Sequence, residues 1–153
     1  TILGNTSTIT TITVILFLIL LIAKKNIYAA FLATVMIFAN LSNWILKNII
    51  QRPRPSVKHL IYAGGYSFPS GHSVGSCAFC GVLIVLTIFA VKKNWLKSIL
   101  IIILSLMPLL IGYTRIFLHV HYPSDVLGGF LEALFYLFLI LTIYQYLIYQ
   151  KKI

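Results

Sequence analysis

Acidic residues are almost missing from this sequence. Of 153 residues only Asp125 and Glu132 are acidic, against twelve Lys and Arg, for a formal net charge of +10. Paired-carboxylate glycoside chemistry would consume both acids. A two-metal phosphatase would have to build two hard-cation sites from the same pair. Neither is expected, and no metal or other cofactor is called for. Charge of either sign is scarce, at 9% of residues against about 25% in ordinary globular domains. With 60% hydrophobic residues and a mean hydropathy of +1.01, a soluble domain is excluded. So is disorder, which needs few apolar residues and much charge. Cysteine is limited to Cys77 and Cys80. No second pair completes a zinc site, and the two read as small hydrophobes on one helix face rather than a redox pair. No internal repeat is visible.

What the chain has is long uncharged runs. A spanning helix needs about 20 apolar residues, with a range of about 17–25. Five segments qualify: Thr6 to Ala23, Asn26 to Leu46, Ser73 to Val91, Ser98 to Thr114, and Val126 to Gln150, the last interrupted only by Glu132. A membrane barrel would instead alternate polar and apolar residues. The expected fold is all-α, a polytopic transmembrane bundle of five helices forming a single membrane-embedded domain over residues 1–153.

Lysines set the expected orientation. Lys24, Lys25, Lys92, Lys93, Lys97, Lys151 and Lys152 fall on one side if the helices alternate, and the positive-inside rule makes that side cytoplasmic. The N-terminus then lies outside, which is awkward for a chain that opens on Thr1 without a signal peptide. A sixth helix is therefore expected before Thr1 in the full protein. The other side collects Lys47, Lys58, all three arginines (Arg52, Arg54, Arg115) and all four histidines (His59, His72, His119, His121). A solvated rim of charge would carry acids as well, and this one has only Asp125. Arginine binds phosphate or carboxylate with a bidentate fork, so an anion site is expected there.

Three segments concentrate the chemistry. In Lys47-Asn-Ile-Ile-Gln-Arg-Pro-Arg54-Pro55, two prolines end the helix near Ile50. That leaves Lys47 in its last turn and Arg54 just beyond. In Pro69-Ser70-Gly71-His72, Ser70 is a natural N-cap, and the N–H groups that follow can meet an anion at the helix N-terminus. Gly71 lets the backbone come close. In Arg115-Ile-Phe-Leu-His119-Val-His121-Tyr-Pro123-Ser-Asp125, Pro123 suits the first position of a helix. Asp125 then lies within reach of His121. A carboxylate that orients a histidine is half of a catalytic triad, and an imidazole can itself attack phosphorus. The rival reading makes His119, His121 and Asp125 zinc ligands, although the surrounding cations favour phosphate over a metal ion.

Together these segments resemble the type 2 phosphatidic acid phosphatase superfamily. Its signature is Lys, six residues, Arg-Pro; then Pro-Ser-Gly-His; then Ser-Arg, five residues, His, three residues, Asp. The sequence matches every spacing, with Thr114 in place of the usual serine. The resemblance implies that His121 is the nucleophile, Asp125 its orienting partner and His72 the acid for the leaving group. It implies that Lys47, Arg54, Ser70, Gly71 and Arg115 bind the phosphate. His119, Arg52 and Glu132 fall outside the signature. The implied substrate is a phosphorylated lipid, as in bacterial members acting on phosphatidylglycerophosphate or undecaprenyl pyrophosphate. The expected location is the cytoplasmic membrane, with the site outside and no nucleic-acid partner. The loop from Ser56 to Tyr66 reads as a mobile lid or a plain connector. The alternatives are a phosphotransferase on the same scaffold and a non-enzymatic anion transporter.

Overall fold

The computed structural model describes residues 5–150. Five helices follow one another: α1 (Thr6–Ile22), α2 (Asn26–Ile50), α3 (Gly71–Ala90), α4 (Asn94–Phe117) and α5 (Pro123–Gln150). Among the described residues no strand is formed. Four of the helices, α2 to α5, are long and apolar enough to cross a membrane, at 25, 20, 24 and 28 residues. The remaining helix, α1, has 17 residues. At 1.5 Å per residue it spans about 26 Å, just under the hydrocarbon core of about 30 Å.

The boundaries follow from local chemistry. α2 ends where Gln51 turns left-handed, with φ 50°, two residues before Pro53. α3 starts on its serine cap, with the Ser70 hydroxyl accepting from the Ser73 N–H. α5 begins on Pro123, whose missing N–H costs nothing at the first helical position. α4 runs longer than the sequence reading of Ser98 to Thr114. Lys97 is tolerated in its first turn and Arg115 is buried in its last, so neither cation marks an end. Pro108 lies inside α4, which continues past it to Phe117.

α3 is the central helix and touches each of the other four. Its Val74, Ala78 and Val82 meet Phe31, Leu32, Val35 and Ala39 of α2, and Ala133, Leu137 and Ile140 of α5. Cys77 packs against this core, and both cysteines are free thiols. Close approach of α3 and α5 depends on Gly129. A Cβ there would fall 2.9 Å from the Ser70 carbonyl oxygen and from Ser73 Cβ. The outer faces stay apolar: Ile37, Leu110, Phe135 and Phe138 are exposed, as lipid-facing residues must be.

The helices alternate in direction. The end of α2, the start of α3, the end of α4 and the start of α5 therefore meet at one end of the bundle, together with the long connection 51–70. Lys24, Lys25, Lys92, Lys93 and Lys97 gather at the opposite end. Lys151 and Lys152, counted with them in the sequence, lie outside the described residues.

Candidate active site

The two histidines of the signature are each held by one arginine. His121 follows α4 in the short connection to α5 and is 5% exposed. Its Nδ1 is 3.4 Å from Asp125 Oδ2, and its Nε2 is 3.3 Å from Arg54 Nη1. A guanidinium N–H can only donate, so Nε2 accepts and Nδ1 carries the hydrogen toward Asp125. That is the tautomer whose Nε2 lone pair can attack phosphorus. Burial first, then the charges of Arg54 and Lys47, push the His121 pKa down to about 4, against the pull of Asp125 and its hydrogen bond. His72, in the first turn of α3, has its Nε2 3.2 Å from Arg115 Nη1. By the same logic this nitrogen accepts.

Arg115 is the most telling residue. It is 3% exposed, and its Nε and Nη2 meet no acceptor among the described residues. A buried guanidinium with two unused donors is costly unless something anionic comes to it. Arg54 is held differently. Nε and Nη2 donate to the Gly65 and Gly64 carbonyls at 3.2 and 2.8 Å, and Nη1 donates to Val120 O at 2.7 Å. The connection 51–70 thus wraps this side chain rather than leaving it free. Lys47, in the last turn of α2, donates to the Tyr66 carbonyl at 2.8 Å.

Ser70 is fully buried. Its hydroxyl accepts from Ser73 N–H and Ser73 Oγ, and its own N–H donates to the Asp125 carbonyl at 3.0 Å. The N–H groups of Gly71 and His72 are left without an intrahelical partner, as at any helix start. Gly71 lies against Asn43, with its missing Cβ 3.3 Å from Asn43 Oδ1. The Thr114 hydroxyl turns back to the Ile111 carbonyl at 2.7 Å.

Every signature residue therefore comes to this one end, and four further side chains, Arg52, Ser67, Asn43 and Glu132, lie beside or beneath them. Asp125 is wholly buried and accepts from Arg52 Nη1 at 2.8 Å, from Ser67 Oγ and from the Tyr122 N–H at 2.8 Å. Asn43 donates to the Pro69 carbonyl at 3.3 Å and to Glu132 Oε2 at 3.4 Å. Glu132 thus pairs with an amide one layer below the site, and its Oε1 finds no partner among the described residues. His119, His121 and Asp125 are not brought together as zinc ligands: among the described residues no three His, Cys, Asp or Glu side chains are placed to hold a metal ion. His119 contacts the Lys58 carbonyl at 3.4 Å, and Asp125 is engaged on both oxygens. Sequence spacing gave no signal for Ser67 or Asn43. Arg52 was visible only as an extra cation two residues before Arg54, outside the signature.

Residues 28–149 match the PAP2 superfamily. The chain belongs to that superfamily. Phosphatidylglycerophosphatase B of Bacillus subtilis (strain 168) is 38% identical over 104 residues, 65% of this chain and 50% of that protein. An undecaprenyl-diphosphatase of the same organism is 32% identical over 97 residues, 60% of this chain and 45% of that protein. This PAP2 chain spans about half the length of these curated relatives. Its fold is similar to the crystal structure of a transmembrane PAP2-type phosphatidylglycerolphosphate phosphatase from Bacillus subtilis. The TM-score is 0.84 at 30% identity, covering 92% of this chain and 71% of that one. This is a multi-pass membrane protein of the PAP2 superfamily.

Proposed function

We propose that this chain is the catalytic domain of a lipid phosphatase that hydrolyses a lipid mono- or diphosphate through a phosphohistidine on His121. The observation that carries the reading is Arg115, buried beside His72 with two donors, Nε and Nη2, that meet no acceptor among the described residues. A phosphoryl group supplies the acceptors this arginine lacks.

The geometry supports a specific sequence of events. An entering phosphate competes with both imidazoles for arginine N–H groups. As Arg54 turns to the phosphate it uncovers His121 Nε2, and as Arg115 does so it frees His72 Nε2. The Nε2 lone pair of His121 attacks phosphorus, and the bond from phosphorus to the lipid-side oxygen breaks. His72, having taken up a proton on Nε2, delivers it to that oxygen. Water then gives a proton back to His72 and attacks phosphorus, the P–N bond breaks, and phosphate leaves with His121 restored. Lys47, Arg54, Arg115 and the N–H groups of Gly71 and His72 stabilise the charge on the equatorial oxygens. Ser70 acts by capping α3.

A lipid substrate fits the walls. A mostly apolar groove of about 540 Å³ opens between α1 and α2, lined by Val14, Phe17, Met36 and Ile37 among others. A small space bounded by Met36, Asn40, Gly71 and Gly75 continues it toward the start of α3. Phosphatidylglycerophosphate or undecaprenyl pyrophosphate are the substrates of choice, because the named relatives act on such lipids. The lysines at the far end favour an active site outside the cytoplasm.

The test is phosphate release by purified protein in detergent against lipid mono- and diphosphates. His121→Ala should be inactive on all of them. His72→Ala should lose about 10²–10⁴-fold on monophosphates and less on diphosphates, which expel a better leaving group. Substantial turnover by His121→Ala would sink the covalent mechanism.

A further inference from the structure

Arg52 and Ser67 converge on Asp125 from the connection 51–70, although neither belongs to the signature. Arg52 Nη1 donates to Asp125 Oδ1 at 2.8 Å and to Ser124 Oγ at 2.7 Å. Its guanidinium carbon lies 4.1 Å from the centre of the Tyr122 ring. Ser67 Oγ donates to Asp125 Oδ2, the oxygen that also receives the Tyr122 N–H and faces His121 Nδ1. The two residues are tied to each other, since the Ser67 N–H donates to the Arg52 carbonyl at 2.8 Å. Resting on the reading of His121 as nucleophile, we propose that Arg52 and Ser67 are positioning residues that clamp the Asp125 carboxylate and thereby set the orientation and basicity of His121.

Several donors compete for the Asp125 carboxylate. A carboxylate offers about four lone-pair directions. Here they are shared among Arg52, Ser67, the Tyr122 N–H and His121, and the His121 contact, at 3.4 Å, is a long one. A bare carboxylate beside an imidazole favours the imidazolium, which has no lone pair left on Nε2. The Arg52 charge offsets Asp125, and Ser67 and Tyr122 N–H take up its second oxygen. Asp125 can then fix the His121 tautomer without drawing a second proton to the ring. The other charges facing His121 act in the same sense as Arg52: Lys47 from α2 and Arg54 from the connection 51–70 both oppose protonation, and Asp125 of α5 alone favours it.

The experiment uses the whole detergent-purified protein with phosphatidic acid in mixed micelles, measuring kcat and KM against pH. Arg52→Gln removes the charge but keeps a donor. It should move the acid limb of kcat/KM upward by about one pH unit, with KM little changed, and Arg52→Lys should restore most of the shift. Ser67→Ala should move the limb the same way by less. In an Asp125→Asn background, Arg52→Gln should produce no further shift. An unmoved acid limb in both Arg52→Gln and Ser67→Ala would overturn the proposal, as would an equal shift without Asp125. If Arg52→Gln does not fold, Ser67→Ala decides alone. Turnover by His121→Ala would instead refute the mechanism beneath it, and that outcome is read independently.

Discussion

Replacing Arg115 should make the free protein more stable while lowering its activity by at least about 10²-fold. Arg115 is 3% exposed, and its one protein partner among the described residues is the Nε2 of His72, 3.2 Å away. Two buried donors without acceptors cost about 1–3 kcal/mol each. Arg115→Met keeps most of the volume and removes both donors and the charge. It gives up one hydrogen bond to His72, worth about 1 kcal/mol. The net expectation is a gain of about 1–5 kcal/mol, close to the about 1–4 kcal/mol seen when buried charges give way to apolar residues. Catalysis should fall by at least about 10²-fold, the cost of removing a single donor to a developing oxyanion. Thermal unfolding in detergent, with and without vanadate, separates the two effects. Vanadate should raise the wild-type midpoint and leave Arg115→Met unmoved. A variant markedly less stable than wild type without ligand, or one still stabilised by vanadate to the wild-type extent, would show that Arg115 is structural rather than poised for phosphate.

Other outcomes follow from the same geometry. A cysteine placed at Ser56, in a background without Cys77 and Cys80, should react with a membrane-impermeant thiol reagent in intact cells; labelling only after lysis would reverse the orientation. Activity should survive EDTA and be blocked by vanadate, because Asp125 is already engaged by Arg52, Ser67 and Tyr122; loss in EDTA with rescue by zinc would revive a metal role. His121 is held at about 4 rather than 6.5, so it stays neutral and nucleophilic at pH 5, and the acid limb of kcat/KM should lie below 6. The sign for stability is the same: the unfolded chain takes up this proton from about pH 6.5 downward, the folded one only near 4, so the contribution of His121 is full above 6.5 and lost as pH falls toward 4.

The sequence carried most of the fold because α2, α3 and α5 each meet a residue with a local reason to start or stop a helix. Gln51 before Pro53, Ser70 as cap and Pro123 at the first helical position are such signals. The misplaced ends of α4 came from treating Lys97 and Arg115 as markers of the aqueous edge, whereas Arg115 is buried inside the last turn. Within the site, Lys47, Arg54, His72, Arg115, His121 and Asp125 were legible because fixed spacing relates them within three short segments. Arg52 and Ser67 were not, because they reach Asp125 from 73 and 58 residues away. Asn43 and Glu132 meet across 89 residues and two helices. Nothing in local pattern reports such contacts. Arg115 illustrates a different gap: spacing placed it, but only burial revealed that two of its donors are unused.

The central claim is that phosphorus is bonded to His121 during turnover. Rapid mixing with lipid phosphate labelled at phosphorus, quenching in alkali and peptide mapping by mass spectrometry tests it directly. The account predicts an acid-labile, alkali-stable phosphoryl group on the peptide containing His121. It should form fast enough to support steady-state turnover and be absent from His121→Ala. Phosphate released at the full rate with no label on His121, or label carried by another residue, would contradict it.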